Sequence, residues 1–300
     1  MNKILVLGCN YDQIPYLLEL KKHFFIVGAD MNKNAPGKEY CDKFYDIGYD
    51  EYDKLVDIGI KECFNNTDKV FTAAAQFALI GASIFAKNFN ISFIDENTIS
   101  IVLDKSKFYS FFKRLQIPIP DTFYIKNRSE LDNKILELGS EKSFYLKSDF
   151  SKNPNYVYRI KQKTVESANI FWGKDRFLRN HYILQEEIFG EHLRINVIKD
   201  DFILFPMNYG DKVIISKDQI IESDVLKSLK LIISELGLDN WIVKFDIILN
   251  KDSFVVLDIG LDPPFRLNKM YTEKSLSFPK HYINLFLNGE VSFKLFEYDI

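Results

Sequence analysis

Short apolar runs alternate with amphipathic segments over the first third of the chain. Three runs are apolar almost throughout and predict buried strands, at residues 3–8, 24–30 and 69–74. Segments with helical spacing of apolar residues accompany them, at residues 12–22, 52–63 and 76–88. Strands that are apolar on both faces are typical of a parallel sheet covered by helices. We therefore predict an open, doubly wound, Rossmann-like sheet over residues 1–97, with a further short strand at 91–93.

The pattern changes at Asp104, a suitable cap for a helix that ends near Leu115, since Pro118 and Pro120 prevent its continuation. A small α+β subdomain is predicted over residues 98–182, with strands at 123–126, 143–148 and 156–161 and helices at 129–138 and 165–172. A second is predicted over residues 183–300, with strands at 193–198, 202–207, 212–216, 241–249 and 253–260 and helices at 223–236 and 279–287. The fold class is α/β, a parallel-sheet N-terminal domain followed by a two-part α+β domain.

Composition and charge exclude several classes of function. A chain of 300 residues that is 47% hydrophobic is able to bury a large core. The net charge is only -3 and no tract is rich in Lys and Arg, so a nucleic-acid partner has little electrostatic support. No apolar stretch is long enough to span a bilayer, and the N-terminus does not resemble a signal peptide. The three cysteines lack C-x-x-C spacing and indicate reduced thiols, so we expect a cytoplasmic protein without a membrane partner.

The last strand pair carries two aspartates. If residues 251–253 form a three-residue hairpin loop, Asp246 and Asp258 lie opposite each other on one face, about 5 Å apart. Both interrupt apolar strands, and two carboxylates at this distance repel unless a cation lies between them. A magnesium ion that carries nucleotide phosphates would be such a cation. The alternative is a solvated face on which each aspartate points to water.

Acidic residues also flank a predicted turn at Gly190. Glu186 and Glu187 end a strand whose edge backbone is able to hydrogen-bond a purine. Glu191 begins the next strand, and its carboxylate has two oxygens that can accept the two hydroxyls of a ribose. The alternative is a pair of surface glutamates beside a hairpin turn.

Two lysines stand where an anion is expected. Lys147 ends an apolar strand, and an unpaired ammonium is costly to desolvate there, so phosphate is a natural partner. Lys105 lies at a helix start, where a solvated cation is the alternative.

The order of these features resembles the ATP-grasp superfamily, closest to the branch of carbamoyl-phosphate synthase and biotin carboxylase. The residues that carry the resemblance are Asp104-Lys105, Ile117-Pro118-Ile119-Pro120, Lys147, Glu186-Glu187-Ile188-Phe189-Gly190-Glu191, Asp246 and Asp258-Ile259-Gly260. The resemblance covers nearly the whole chain, because that family begins with a Rossmann-like pre-ATP-grasp domain. Residues 1–97 correspond to that domain, and the two later parts correspond to the ATP-grasp subdomains.

The resemblance implies an ATP-dependent carboxylate–amine ligase that forms an acyl phosphate and releases ADP and phosphate. The implied contacts are Lys105 and Lys147 with the phosphates, Glu186 and the Glu187–Ile188 backbone with adenine, Glu191 with ribose, and Asp246 and Asp258 with magnesium or, as an alternative ion, manganese. Lys147 is also implied in stabilising the transferred phosphate.

The chain departs from the family pattern at three places. The loop after Lys147 lacks the usual glycines, and Lys152 is its candidate phosphate contact. Gly260 stands where the family has a metal-binding asparagine, so the second metal site loses an amide ligand. Asp262 stands where the family has an arginine; it is a candidate substitute ligand or substrate contact, and Arg266 is the candidate replacement cation for catalysis.

The expected substrates are a small carboxylate and an amine, with amino acids as candidates. We expect their pocket where the loops after Gly8, Asp30 and Ala74 converge at the carboxyl ends of the parallel strands. Asp30 is a candidate substrate contact or a turn residue. Arg194 and Arg266 are candidate anchors for a substrate carboxylate, with surface ion pairs as the alternative.

Two other functions fit the same residues. An ATP-grasp phosphotransferase would phosphorylate its acceptor without ligation, and a non-catalytic ATP-binding scaffold would carry a degenerate metal site. A homodimer is left open.

Overall fold

Three four-stranded sheets organise the described part of the chain. The computed structural model describes residues 1–139, 142–149, 157–161, 181–199, 201–206, 220, 223–250 and 253–289. Each sheet is formed by a contiguous stretch of sequence. None of the helices within these residues is long and apolar enough to cross a bilayer.

The first sheet is parallel, and helices pack on both of its faces. Its strands are β1 (Lys3–Leu7), β2 (Phe25–Ala29), β3 (Lys43–Tyr45) and β4 (Lys69–Phe71), in the order β3-β2-β1-β4. The helices are α1 (Ile14–Leu20), α2 (Tyr52–Lys61) and α3 (Ala78–Asn88). Ile4 and Leu5, neighbours in β1, are buried in two different cores. Burial on both faces explains the continuous apolar run and confirms the predicted parallel sheet.

The strand predicted at 91–93 is wrong. Ile91 and Ile94 are buried, but the segment between them joins no sheet. Asp95 follows at once and accepts the N–H of Thr98 at 2.9 Å, which caps a helix, α4 (Glu96–Leu103), that the pattern did not predict. The apolar run therefore connects two helices.

The second sheet is antiparallel. Its strands are β5 (Thr122–Ile125), β6 (Ser143–Ser148), β7 (Val157–Lys161) and β8 (Tyr182–Glu186), in the order β5-β8-β6-β7. The helices α5 (Lys105–Arg114) and α6 (Arg128–Leu138) accompany it, and Asp104 caps α5 as predicted, accepting the N–H of Ser106 at 3.0 Å. Because β8 pairs with β5 and β6, residues 183–186 belong to this sheet, and the division into subdomains after residue 182 stays a prediction.

The third sheet is also antiparallel. Its strands are β9 (Glu191–Ile198), β10 (Asp201–Pro206), β11 (Ile242–Leu249) and β12 (Phe254–Gly260), in the order β10-β9-β11-β12. Its helices are α7 (Asp224–Glu235), α8 (Phe265–Glu273) and α9 (Phe278–Asn288). Helices α7 and α9 confirm the predicted ones, whereas α8 was not predicted. The helix predicted at 165–172 and the strand at 212–216 lie outside the described residues.

Helix α5 connects the second and third sheets. The N–H of Lys105, its first residue, donates to the carbonyl of Asp149 just after β6, at 2.8 Å. One turn later the Tyr109 hydroxyl donates to the Leu257 carbonyl in β12, at 2.9 Å. The side chain of Phe108 is buried in the core that covers one face of the third sheet. The N-terminus of α5 therefore lies where β6 and β12 approach each other.

Candidate active site

Three charged residues form a row across the third sheet. Arg194 in β9 pairs in register with Asp246 in β11, and Asp246 pairs with Asp258 in β12. Residues directly opposite on neighbouring strands share a face of the sheet. The predicted juxtaposition of the two aspartates is therefore confirmed.

A β-bulge brings Asp258 to this face. Leu249 pairs with Phe254, so the hairpin is one residue out of step with the predicted three-residue loop. The register then shifts between Asp246 and Ile247, where Leu257 is the additional residue of β12. A regular ladder would place Asp258 opposite Phe245, on the face that packs into the core. The bulge therefore places the Asp258 carboxylate on the same face of the sheet as Asp246 and Arg194.

Arg194 neutralises Asp246. Its Nε and Nη2 donate to the two carboxylate oxygens at 2.6 and 2.8 Å, a bidentate pair, and this hydrogen bonding raises the pKa of Arg194. The sequence interpretation assigned the compensating cation to magnesium, whereas here Arg194 contacts both oxygens of Asp246; a metal contact of Asp246 stays a prediction. Arg194 is likewise not available in this arrangement as an anchor for a substrate carboxylate.

A second ion pair lies beside the first. Lys244 pairs with Gly260 and with Asn196 in register, on the same face as Asp246, and its ammonium donates to Asp262. The Gln76 amide, which follows β4, donates to the other oxygen of Asp262. Asp262 thus contacts protein groups through both oxygens, and its role as a substitute metal ligand or substrate contact stays a prediction. Sequence reasoning missed Lys244, although its position two residues before Asp246 on an apolar strand is the signal that would have found it.

Two lysines lie close to this face: Lys147, in β6 of the second sheet, and Lys105, the first residue of α5. The Lys105 ammonium lies 3.5 Å from Asp258 Oδ1, and Lys147 donates to Gln185 Oε1 at 3.0 Å. Burial lowers the pKa of Lys147 to about 8, and the neighbouring Lys105 adds to this shift, while Asp258 and Asp246 oppose it. The structure thus brings both predicted lysines together with both aspartates.

The end of β8 only partly matches the predicted nucleotide contacts. The carboxylate of Glu186 lies on the face away from Lys147 and pairs with Lys142 at 2.7 Å. Glu187 lies on the face of the second sheet that carries Lys147, where it pairs with Arg159. Its N–H donates to the Ser143 carbonyl at 2.8 Å. The Glu186 side chain thus points away from Lys147, and the Glu187 N–H is used within the sheet. Adenine contacts by Glu186 and by the Glu187–Ile188 backbone stay predictions.

Alternation along β9 places Glu191 away from the site. Glu191 pairs with Leu249 and shares its face with Leu193, which is buried in the core. Arg194 and His192 point to the opposite face. A ribose contact by Glu191 stays a prediction, and His192 is the residue at this strand end that shares a face with Arg194.

The remaining predicted residues either contact other protein groups or lie outside the residues that the structure describes. Arg266 donates to the Pro206 carbonyl and lies over the Phe205 ring at 5.9 Å, so its guanidinium is held beside β10 rather than at Asp258. Asp30 accepts the backbone N–H groups of Cys9 and Asn32 at 2.7 and 2.8 Å, which confirms the turn alternative. Lys152 lies outside the described residues.

The donor set does not fit a pair of divalent cations held by protein side chains. Asp246 and Asp262 each contact a cationic side chain through hydrogen bonds, and Gly260 has no side-chain donor. Over the ranges that the structure describes, no three His, Cys, Asp or Glu residues cluster closely enough to hold a metal. Magnesium at Asp258 stays a prediction.

Comparisons with known proteins support the fold. No protein-family model matches the chain, and no curated protein matches its sequence. N5-carboxyaminoimidazole ribonucleotide synthetase from Thermotoga maritima is 18% identical, with a TM-score of 0.67, 96% of this chain and 76% of that chain covered. L-amino acid ligase from Bacillus licheniformis is 14% identical, with a TM-score of 0.67 and coverages of 95% and 74%.

A third structure is the biotin carboxylase domain dimer of Hydrogenobacter thermophilus 2-oxoglutarate carboxylase, in complex with MgADP, ADP and bicarbonate. It is 13% identical, with a TM-score of 0.68, and the match covers 98% of this chain and 71% of that chain. The agreement extends through the parallel sheet and both antiparallel sheets of this chain. The chain therefore has the ATP-grasp fold, preceded by a Rossmann-like N-terminal domain.

Proposed function

We propose that this protein is an ATP-dependent ligase that joins a small carboxylate to an amine through an acyl phosphate. The observation that carries the proposal is the convergence of Lys105 and Lys147 with Asp246 and Asp258 where the second and third sheets meet. The structural neighbours named as synthetases and a ligase support the reaction class. ATP and magnesium are the proposed cofactors, with the metal carried on the nucleotide phosphates.

The nucleotide is proposed to lie between the second and third sheets. Lys105 and Lys147 supply two ammonium groups for the phosphates, and Lys105 is the first residue of α5, where the helix dipole favours an anion. Burial lowers the pKa of Lys147, and a bound triphosphate would stabilise its ammonium form. Adenine is proposed to contact the backbone near Ile188, at the end of β8.

In the proposed reaction, a substrate carboxylate oxygen attacks the γ-phosphorus while the bond to the ADP oxygen breaks. The amine nitrogen then attacks the acyl carbon, and phosphate leaves with the electrons of the C–O bond. Lys105 and Lys147 stabilise negative charge on the phosphoryl oxygens during the first step. The chain's contribution is to hold the three reactants in position and to exclude water.

The carboxylate and the amine are proposed to bind at the carboxyl ends of β1 and β4. The strand order reverses between these two strands, and ligands of open α/β sheets bind at such a point. Within the described residues, both amide atoms of Gln13 and the Gln76 oxygen are buried without a hydrogen-bond partner. Gln13 lies close to Gly8, and Gln76 reaches Asp262, so the two amides flank the junction with the third sheet. Amides suit the carboxylate and ammonium groups of amino acids.

The test is ADP release in the presence of ATP, magnesium and amino acids supplied in pairs, with mass spectrometry of the products. We expect Lys147→Met to lower kcat by about 10²–10³, because one stabilising cation is lost. Lys142→Met is the matched control, since Lys142 is an exposed lysine that pairs with Glu186 on the other face, and its activity should be unchanged.

Each outcome separates the candidates. A product with the summed mass of two substrates minus water supports ligation. A phosphorylated acceptor would show a phosphotransferase instead. Nucleotide binding without ADP release across the whole panel would contradict the proposal and favour a binding scaffold.

A further inference from the structure

Two cationic side chains pair with carboxylates on or beside the face of the third sheet that carries Asp246 and Asp258. Arg194 binds both oxygens of Asp246, and Lys244 binds Asp262 two residues away along the same strand face. The side chain of Lys244 is only 12% exposed and that of Asp246 15%, so water screens neither pair well. The two cations therefore neutralise Asp246 and Asp262, as one divalent cation bound between two carboxylates would.

Gly260 makes room for this arrangement. A Cβ atom built on Gly260 would lie 2.8 Å from Cε of Lys244 and 2.7 Å from Nε2 of Gln76. The lysine stem and the glutamine amide thus fill the space in which a side chain at position 260 would begin. A metal-binding side chain at 260 and the observed position of Lys244 exclude each other.

We propose that Arg194 and Lys244 take the place of one divalent cation, so that the site binds ATP with a single divalent ion. The inference rests on the proposed function, because it concerns the same nucleotide site. Two monovalent cations carry the charge of one magnesium ion, and they already neutralise Asp246 and Asp262. Asp258 lies 3.5 Å from the Lys105 ammonium, so the single ion is held by the nucleotide phosphates.

The first test counts metal ions on the unmodified protein. The full chain is saturated with a non-hydrolysable ATP analogue and titrated with Mn²⁺, and free Mn²⁺ is followed by electron paramagnetic resonance. We expect one bound Mn²⁺ per bound nucleotide. Two bound ions per nucleotide would overturn the inference while leaving the proposed function intact. Failure of the analogue to bind at any metal concentration would overturn the proposed function, and the inference with it.

The second test removes the built-in cations. Arg194→Met with Lys244→Met keeps the side-chain length and frees Asp246 and Asp262, so a second Mn²⁺ should bind at least about tenfold more tightly than to the unmodified protein. Arg128→Met is the matched control, because Arg128 forms an exposed pair with Asp132 on α6. Unchanged Mn²⁺ stoichiometry and affinity in a double variant that folds would overturn the inference. If the double variant does not fold, the count on the unmodified protein decides.

Discussion

Removal of Arg194 tests whether Asp246 is neutralised by protein rather than by metal. Arg194→Met leaves a carboxylate that is 15% exposed without its bidentate partner. Breaking a buried ion pair from one side costs about 3–5 kcal/mol. The Arg194 side chain is 32% exposed, so water partly screens this pair. We therefore expect a smaller loss, of about 2–4 kcal/mol, in the free energy of unfolding. Arg194→Met combined with Asp246→Leu removes both charges and should recover most of that loss.

The assay is urea unfolding of the two single variants and the double variant, without nucleotide or metal. The coupling energy of this cycle should be about 2 kcal/mol or more. Arg128→Met is the control, because its pair with Asp132 is exposed and should contribute about 0–0.5 kcal/mol. A loss below about 1 kcal/mol for Arg194→Met, with negligible coupling to Asp246, would refute the reasoning.

Three further outcomes are expected. Nucleotide affinity should fall as the pH rises above about 8, because Lys147 has a pKa of about 8 in the free protein and bound phosphate favours its ammonium form. Calorimetry in buffers of different ionisation enthalpy should show that the protein takes up a proton when the nucleotide binds. Lys147→Met should abolish this proton uptake. Tyr109→Phe should lower the free energy of unfolding by about 1–2 kcal/mol, since the Leu257 carbonyl loses its hydroxyl donor; an unchanged urea midpoint would contradict this. Gly81→Ala should lower the free energy of unfolding by about 1–3 kcal/mol, because the new Cβ would overlap the Tyr49 carbonyl oxygen. This cost exceeds the roughly 1 kcal/mol by which alanine is favoured over glycine in a helix. A raised melting temperature would contradict the prediction and show that the backbone at Tyr49 moves aside.

The periodicity of the sequence was sufficient for the elements with strong patterns. The apolar runs of β1 and β2 predicted the parallel sheet because both faces of these strands are buried. Asp104 and the prolines after α5 defined that helix because caps and prolines act locally. Helix α8 was missed although its buried residues Leu267, Met270 and Tyr271 recur at helical spacing, which is the signal that would have found it.

The site was predicted in position but not in its electrostatics. Asp246 and Asp258 were found because charges that interrupt apolar strands are conspicuous. The partner of Asp246 was not found, because Arg194 is 52 residues away and only the pairing of β9 with β11 brings it there. The face of Glu191 could be predicted, because alternation along β9 places it with Leu193, whereas its contact with a ribose stays a prediction.

The extra residue at Leu257 also affects how β12 can vary in length. Buried positions of this strand occur at Phe254 and Val256 and then, after a spacing of three, at Ile259. A chain from which Leu257 is deleted would restore a spacing of two and still place Asp258 opposite residue 246. The deletion would thus keep the acidic face unchanged, but it would remove the carbonyl that accepts the Tyr109 hydroxyl.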